Sequence, residues 1–442
     1  MTATAPVPGP VTLRRIFALA IPALVVLAAE PVYVLVDTAV VGHLGRVPLA
    51  ALAIGGGVMS AAAFLGNVLA YGGTGRAARH YGAGDRGAAV AAGVQSTWLA
   101  LAAGVLLAAF VQLFAGPITR ALAGNGPDSG QIAAESETWL RVAILGAPFI
   151  LVALAGQGWM RGIQETRKPM YIVLAANLLS AVMVPLLVYP AGLGLVGSAI
   201  ANVAAQAVSG LFFLRAIAAE KVSLRPDLDA LRGQLATSRD LIVRGLAFQV
   251  CFLSAASVAA RFGAASLAAH QIGLQLWMFC AFALDAVAIA AQALIGADLG
   301  AGDADRARAT ARRVGWMGVV SGGFLAVVIG VGVLFLPGLF TSDPAVHEQA
   351  YVLWPWFVAM MPVAGLVFAL DGVFIGAGDV AFLRNMIVAA AAGFLPLIWL
   401  AHILDLGLTG IWVGLVVFMV IRLTALLLRL RGGRWAVTGT AA

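Results

Sequence analysis

Charged residues are scarce in this sequence. Only 11% of its 442 residues are Asp, Glu, Lys or Arg, against about 25% in soluble domains. Hydrophobic residues make up 62% of the chain, and the mean hydropathy is +0.98. The apolar runs exceed the ~9–11 residues of a barrel strand and reach the ~20 residues of a membrane helix. These proportions exclude a soluble domain and predict an all-α integral membrane protein.

The usual marks of a catalytic or metal site are also missing. The two cysteines, Cys251 and Cys280, both lie in apolar runs, so we expect free packing residues and no disulfide framework. The five histidines show no ligand spacing, and no GKS or GKT motif follows the Gly-rich turns. The N-terminus has no short apolar core with a cleavage site, so we expect no signal peptide. We therefore predict no enzyme, no metal and no cofactor, with energy supplied by an ion gradient.

Twelve spans are expected, with approximate bounds 14–41, 49–74, 88–114, 132–156, 169–190, 194–219, 240–262, 268–297, 311–336, 347–371, 381–403 and 407–430. An N-terminus inside would leave only Arg46, Arg120, Arg141 and Arg261 outside, with all other basic residues inside. The positive-inside rule then places both termini in the cytoplasm of a cell-membrane protein. The net charge of +7 reflects this orientation, and we expect no nucleic-acid partner.

The two halves of the sequence are related. LGRVPLAALAIG (44–55) resembles FGAASLAAHQIG (262–273), and YGAGDRG (81–87) resembles LGAGDAD (299–305), so both pairs are offset by 218 residues. GQGWMRGIQE (156–165) matches LDGVFIGAGD (370–379) at an offset of 214. The duplication predicts two six-helix bundles related by a pseudo-two-fold axis along the membrane normal, with substrate between them. We expect an N-terminal lobe over 1–218, a cytoplasmic linker over 219–239 and a C-terminal lobe over 240–442.

The first span carries the strongest candidate site. Glu30, Tyr33 and Asp37 are spaced by three and four residues, so they share one helix face. Burial disfavours a charged carboxylate, which suits Asp37 as a reversible proton carrier. Alternatively, Asp37 is simply solvated near the end of a long helix. Glu30 either joins the coupling or makes a structural hydrogen bond.

Other intramembrane polar residues are candidates for the cavity wall. Ser198, Asn202, Gln206 and Ser209 form one stripe on the sixth span, and Asn177 and Ser180 face the same way on the fifth. They line a cavity or serve as interhelical hydrogen bonds. In the second half, Asp285 and Asp371 either attract cations or belong to a structural network with Gln271, Gln275 or Gln292. Within the spans we expect no Lys or Arg except Arg141 and Arg422, which lie near span ends.

Several motifs resemble one transporter family. VDTAVVGHLG (36–45), GAGD (82–85), GWMRGIQETRKP (158–169) and LDAVAIAAQALIGADLGAGD (284–303) are similar to the multidrug and toxic compound extrusion (MATE) family, most closely its DinF-like branch. The resemblance implies a V-shaped cavity between two six-helix bundles. It also implies export of lipophilic, often cationic compounds in exchange for H⁺ or Na⁺. We expect a monomer.

The resemblance assigns roles to residues of the first span. Asp37 matches the coupling acid of the family, Tyr33 and Glu30 match cavity positions, and Pro22 matches a proposed hinge. The fifth helix departs from the pattern, because Val184 stands where many relatives have an acid. We therefore expect proton-coupled export through Asp37. A Na⁺-coupled antiporter and a flippase for a lipid-like substrate remain open, although a flippase would favour an Arg-rich cavity.

Overall fold

The computed structural model describes residues 12–440, and this part of the chain is helical with no strand. The fourteen helices are α1 (Leu13–Gly42), α2 (Arg46–Gly82), α3 (Arg86–Ala123), α4 (Ser129–Ala143), α5 (Ala147–Gly162), α6 (Arg167–Val188), α7 (Gly194–Ala219), α8 (Leu228–Arg261), α9 (Ala264–Gly300), α10 (Ala304–Gly332), α11 (Leu336–Phe340), α12 (Pro344–Gly376), α13 (Val380–Ile403) and α14 (Gly407–Arg431).

Twelve segments of the described chain are long and apolar enough to cross a membrane, as predicted. One of them, Ser129–Gly162, consists of α4 and α5 joined by a single 3₁₀ turn, Ile144–Gly146. Many large apolar side chains point outward, such as Leu334 and Ile403, which suits contact with lipid tails. Cys251 and Cys280 are buried and free, as predicted. The prediction of no signal peptide concerns the N-terminus, whose first eleven residues lie outside the described range.

The chain divides into two compact units. One consists of Ile21–Leu235, and the other of Ala236–Ala442 with Met1–Ala20, so far as these ranges are described. Both divisions fall inside helices, within α1 and within α8. The predicted linker over 219–239 is irregular only between α7 and α8, since α8 already begins at Leu228.

The segment between α7 and α8 is fastened to α3. Trp98 Nε1 donates to the carbonyl of Leu224 at 2.8 Å, and Gln95 Nε2 donates to that of Arg225 at 3.1 Å. Arg86 forms a bidentate ion pair with Glu220, with the shorter contact at 2.7 Å. The segment is therefore a strap held on the surface of the first unit.

In the first unit, α5 packs closely on α2 and α3. A Cβ atom added at Gly158 would lie 2.6 Å from the carbonyl oxygen of Ala70 on α2. One added at Gly104 on α3 would lie 2.4 Å from the Cα of Pro148 on α5. The backbones approach this closely because small residues stand at the crossings, as is common between membrane helices.

The second unit repeats this packing with α12 against α9 and α10. A Cβ at Gly372 would meet the carbonyl oxygen of Ala288 at 2.2 Å, and one at Gly322 would meet the Cα of Pro362 at 2.9 Å. These four positions are the duplicates of those in the first unit, at offsets of 214 and 218 residues (158 to 372 and 148 to 362; 70 to 288 and 104 to 322). The internal duplication is therefore confirmed at the level of individual helix contacts.

The GAGD turns also repeat. The Asp85 side chain accepts from the backbone N–H of Ala88 at 2.8 Å, and the Asp303 side chain from that of Arg306 at 2.8 Å. Both preceding glycines, Gly84 and Gly302, have positive φ angles of 83° and 81°. These aspartates are the N-caps of α3 and α10, since each satisfies a free N–H of the first helical turn.

Candidate functional site

Asp37 lies in the C-terminal third of α1 and is only 6% exposed. Its side-chain hydrogen-bond partner is the Ser198 hydroxyl of α7, while its Oδ1 has no partner. Ser198 is itself fully buried and accepts a hydrogen bond from Trp139 Nε1 on α4 at 3.3 Å. The structure thus gives the predicted coupling acid one hydroxyl donor and one unpaired oxygen.

One turn earlier, Tyr33 meets the polar stripe predicted on α6 and α7. Asn202 Nδ2 donates to the Tyr33 hydroxyl at 3.2 Å, and Ser180 of α6 lies against the same hydroxyl. Val184, at the position where the resemblance implies an acid, is fully buried in the apolar cluster that contains Tyr33. Tyr33, Ser180 and Asn202 therefore come together as expected, and position 184 faces the same place without a carboxylate.

Most of the other predicted site residues are more exposed than Asp37. Glu30 and Gln275 are exposed, and Asn177, Gln206 and Asp285 are half-buried. The structure therefore does not pair Glu30 with Asp37 as a buried two-acid site. Pro22 is buried inside α1, which continues as a helix through both Pro22 and Pro31.

A buried charge cluster in the second unit was not predicted. Asp371 of α12 accepts through Oδ2 from Arg244 Nη2 of α8 and from Arg422 Nη2 of α14, both at 2.7 Å. Arg422, which was expected near a span end, is 1% exposed and lies in this cluster. A cation-attracting role for Asp371 does not fit two guanidiniums on one of its oxygens. For Asp371, the partners are these two arginines and not the glutamines of the alternative network.

Sequence reasoning missed this cluster because it assigned Arg244 to the cytoplasmic side and Arg422 to a span end. The available signal was opposite charge within apolar runs of the same half of the chain, since charged residues inside membranes usually pair with one another. Phe248 contacts both guanidiniums, with its ring centroid 5.5 Å from Arg244 and 4.6 Å from Arg422. Each such contact contributes about 0.5–2 kcal/mol, less than the several kcal/mol that burying an ion costs.

Comparison with known protein families gives a consistent result. The MatE family matches residues 22–186 and 241–400. The chain is 35% identical over 440 residues to the Arabidopsis thaliana protein DETOXIFICATION 44, chloroplastic. The alignment covers 97% of this chain and 84% of that protein. It is 32% identical over 429 residues to the DNA damage-inducible protein F of Escherichia coli strain K12, covering 92% of this chain and 90% of that one. The predicted resemblance is confirmed.

Solved structures agree on the fold. A MATE protein in the bent conformation superposes with a TM-score of 0.87 at 20% identity, over 96% of this chain and 95% of that one. A MOP superfamily transporter from Pyrococcus furiosus Vc1 superposes with a TM-score of 0.83 at 20% identity, also over 96% and 95%. The predicted twelve-helix membrane fold is confirmed.

Proposed function

Because the chain belongs to the MatE family of multidrug and toxic compound extrusion transporters, we propose that it exports small lipophilic cations in exchange for protons. The protein is a multi-pass membrane protein, since twelve helical segments of its described residues are long and apolar enough to cross a membrane. We place it in the cell membrane with both termini in the cytoplasm, because of its basic loops.

The observation that carries the proton coupling is the environment of Asp37. Its carboxyl is buried, has a single hydroxyl donor in Ser198 and retains an oxygen without a partner. A carboxylate neutralised by a nearby Arg would keep its charge permanently, whereas Asp37 has no such ion pair among the described residues. Such a group can lose its charge on protonation and regain it on release.

Exchange follows if the substrate and the proton compete for this carboxyl. An organic cation near Asp37 stabilises the carboxylate, and a proton arriving from outside removes the charge that holds the cation. Tyr33 and Asn202, one turn away, supply polar contacts for orienting a substrate. Protonation and cation binding are then mutually exclusive, which is the condition for antiport.

We place the accompanying movement in α1 at Pro22. Proline has no N–H to donate, so one helical hydrogen bond is missing there and bending costs less than elsewhere. The division of the chain into two units falls between Ala20 and Ile21, with one residue between it and this proline. This coincidence supports Pro22 as the hinge through which protonation of Asp37 changes access to the site.

The test is transport of ethidium, a lipophilic fluorescent cation, in proteoliposomes. We expect an imposed pH gradient to drive ethidium export equally well with and without Na⁺. Export that requires a Na⁺ gradient and ignores the pH gradient would establish the sodium-coupled alternative and overturn the proposal.

Asp37→Asn should abolish pH-driven export, because an amide cannot carry the proton, while insertion and thermal stability are retained. Asp405→Asn is the matched control, since Asp405 is exposed and has a positive φ of 51°, which asparagine tolerates. Proton-driven export that survives in Asp37→Asn would remove this residue from the mechanism. Glu30→Gln, measured in parallel, should weaken export less than Asp37→Asn, because the buried hydroxyl of Ser198 is bonded to Asp37.

A further inference from the structure

The cluster of Arg244, Asp371 and Arg422 carries excess positive charge. It contains two guanidiniums and one carboxylate, and all three groups lie on helices of the second unit. Asp371, Arg244 and the thiol of Cys251 act electrostatically on Arg422, so around Arg422 there is one acid for two arginines. A buried cluster with an uncompensated charge favours an added anion.

Each of the two arginines also has an N–H group without an acceptor. Both contact the same oxygen of Asp371 through Nη2, and the Nε–H groups of Arg244 and Arg422 have no partner. Arg422 is almost completely buried, which makes its unpartnered donor costly unless an acceptor binds there. A guanidinium presents its donors as a fork that matches the two oxygens of a carboxylate or a phosphate.

The exposure of Arg244 and the aromatic rings beside the cluster favour an amphipathic ligand. The Arg244 side chain is 16% exposed, so the cluster is reached at this residue, while Asp371 and Arg422 lie deeper. The Phe248 ring contacts both guanidiniums, and Phe418 lies 5.7 Å from that of Arg422. The aromatic faces beside the charges provide an apolar surface for the body of a bound anion.

We propose that the Arg244–Asp371–Arg422 cluster is a binding site for the carboxylate or phosphate of an amphipathic organic anion, which enters at Arg244. The cluster and Asp37 belong to different units, and occupation of the cluster requires no proton gradient. The anion replaces Asp371 as the partner of part of the Arg244 fork and neutralises the excess charge. The protein then binds organic anions in one unit in addition to the cations proposed for the other.

The test is equilibrium binding of 1-naphthoate to the full-length protein in phosphatidylcholine nanodiscs, with neutral 1-naphthalenemethanol as the comparison ligand. We expect saturable binding of 1-naphthoate that weakens with added salt, and at least tenfold weaker binding of the alcohol. Arg244→Gln should weaken 1-naphthoate binding at least tenfold, because it leaves the neutral pair Asp371–Arg422 in place. Equal binding of the acid and the alcohol, or unchanged binding in Arg244→Gln, would overturn the site.

Two further variants separate charge from folding. Arg308→Gln is the matched control, because Arg308 pairs with the exposed Asp305 on α10 of the same unit, and it should bind 1-naphthoate like the unaltered protein. Arg244→Lys keeps the charge and should restore part of the binding lost in Arg244→Gln. If Arg244→Gln does not fold, Arg244→Lys provides the test. Binding of 1-naphthoate as tight as in the unaltered protein would then contradict the proposed contact with the guanidinium fork.

A lipid headgroup and a soluble anion share this chemistry. Nanodiscs containing phosphatidylglycerol distinguish them: competition with 1-naphthoate in the unaltered protein identifies the lipid phosphate as an occupant, and its absence identifies soluble anions. Either result supports the site provided that Arg244→Gln removes the binding. Because no transport is measured, the outcome is independent of whether Asp37 couples export to protons.

Discussion

At the scale of single residues, the chemistry of Asp37 depends on a chain of two donors. A tryptophan Nε1–H can only donate, so Ser198 must accept from Trp139. The single hydroxyl hydrogen of Ser198 is then left for the Asp37 carboxyl. Trp139 does not touch the acid, yet it fixes the direction in which the serine donates.

Ser198→Ala removes this donor, and a hydrogen bond to a carboxylate favours its charged form. We expect the pH at which ethidium export is half-maximal to rise by about one to two units, since such a bond contributes about 1.5–3 kcal/mol and one pH unit corresponds to about 1.4 kcal/mol. The measurement is the pH profile of export in proteoliposomes. A profile identical to that of the unaltered protein would show that Ser198 does not act on Asp37.

Trp139→Phe keeps an aromatic ring against Gly55, where an added Cβ would meet the indole at 2.3 Å, but removes the N–H. We expect a smaller shift of the pH profile in the same direction, because the serine hydroxyl is no longer held. Thr138→Ala on the same helix alters only an exposed hydroxyl bonded to the carbonyl of Ala134 and serves as the control. A larger shift in Thr138→Ala than in Trp139→Phe would count against the proposed relay.

At the scale of helices, stability in each unit depends on close backbone crossings. Gly318 of α10 and Gly365 of α12 face each other, and a Cβ at Gly318 would lie 2.4 Å from the carbonyl oxygen of Gly365. There is no room for a side chain, so the helices must separate if one is introduced. The crossing therefore requires glycine for packing and not for flexibility.

We expect Gly318→Ala to destabilise the protein by about 1–3 kcal/mol, the usual cost of overpacking, measured by thermal unfolding in detergent. Gly323→Ala on the same helix is the matched control, because nothing lies within 4 Å of the added Cβ. That substitution should be neutral or stabilising by up to about 1 kcal/mol, as alanine favours the helix. Equal unfolding temperatures for the two variants would contradict the tight crossing.

At the scale of the whole molecule, orientation in the membrane follows from the distribution of arginine and lysine. We expect the α3–α4 loop outside and the strap between α7 and α8 inside. In a background with Cys251→Ala and Cys280→Ala, Asn125→Cys and Ser223→Cys place single thiols in these exposed segments. A membrane-impermeant maleimide added to intact cells should label the first and not the second, and the reverse pattern would invert the topology.

The strap has a consequence for how the two units are joined. Gln95, Trp98 and Arg86 of α3 bind the strap. These contacts restrain the segment between α7 and α8. The division between units instead falls inside α8, after Leu235. The long polar segment, which looks like a flexible linker in the sequence, is thus mostly anchored.

The sequence alone determined the membrane class, the twelve spans and the duplication. Length and hydropathy fix the spans because the backbone must satisfy its own hydrogen bonds in lipid. The duplication was readable because small residues recur at fixed offsets, such as Gly158 with Gly372, wherever backbones must touch. The residues Tyr33, Ser180 and Asn202 were also predictable, since polar residues at helical spacing in adjacent spans meet between helices.

Only the tertiary structure decided which charges are buried together. Helical periodicity places Glu30 and Asp37 on one face, but it does not say that Asp37 is enclosed while Glu30 is exposed. The contacts of Asp371 with Arg244 and Arg422 join α8, α12 and α14 over separations of 127 and 51 residues. No local pattern encodes these meetings, because the packing of whole helices selects which side chains face one another.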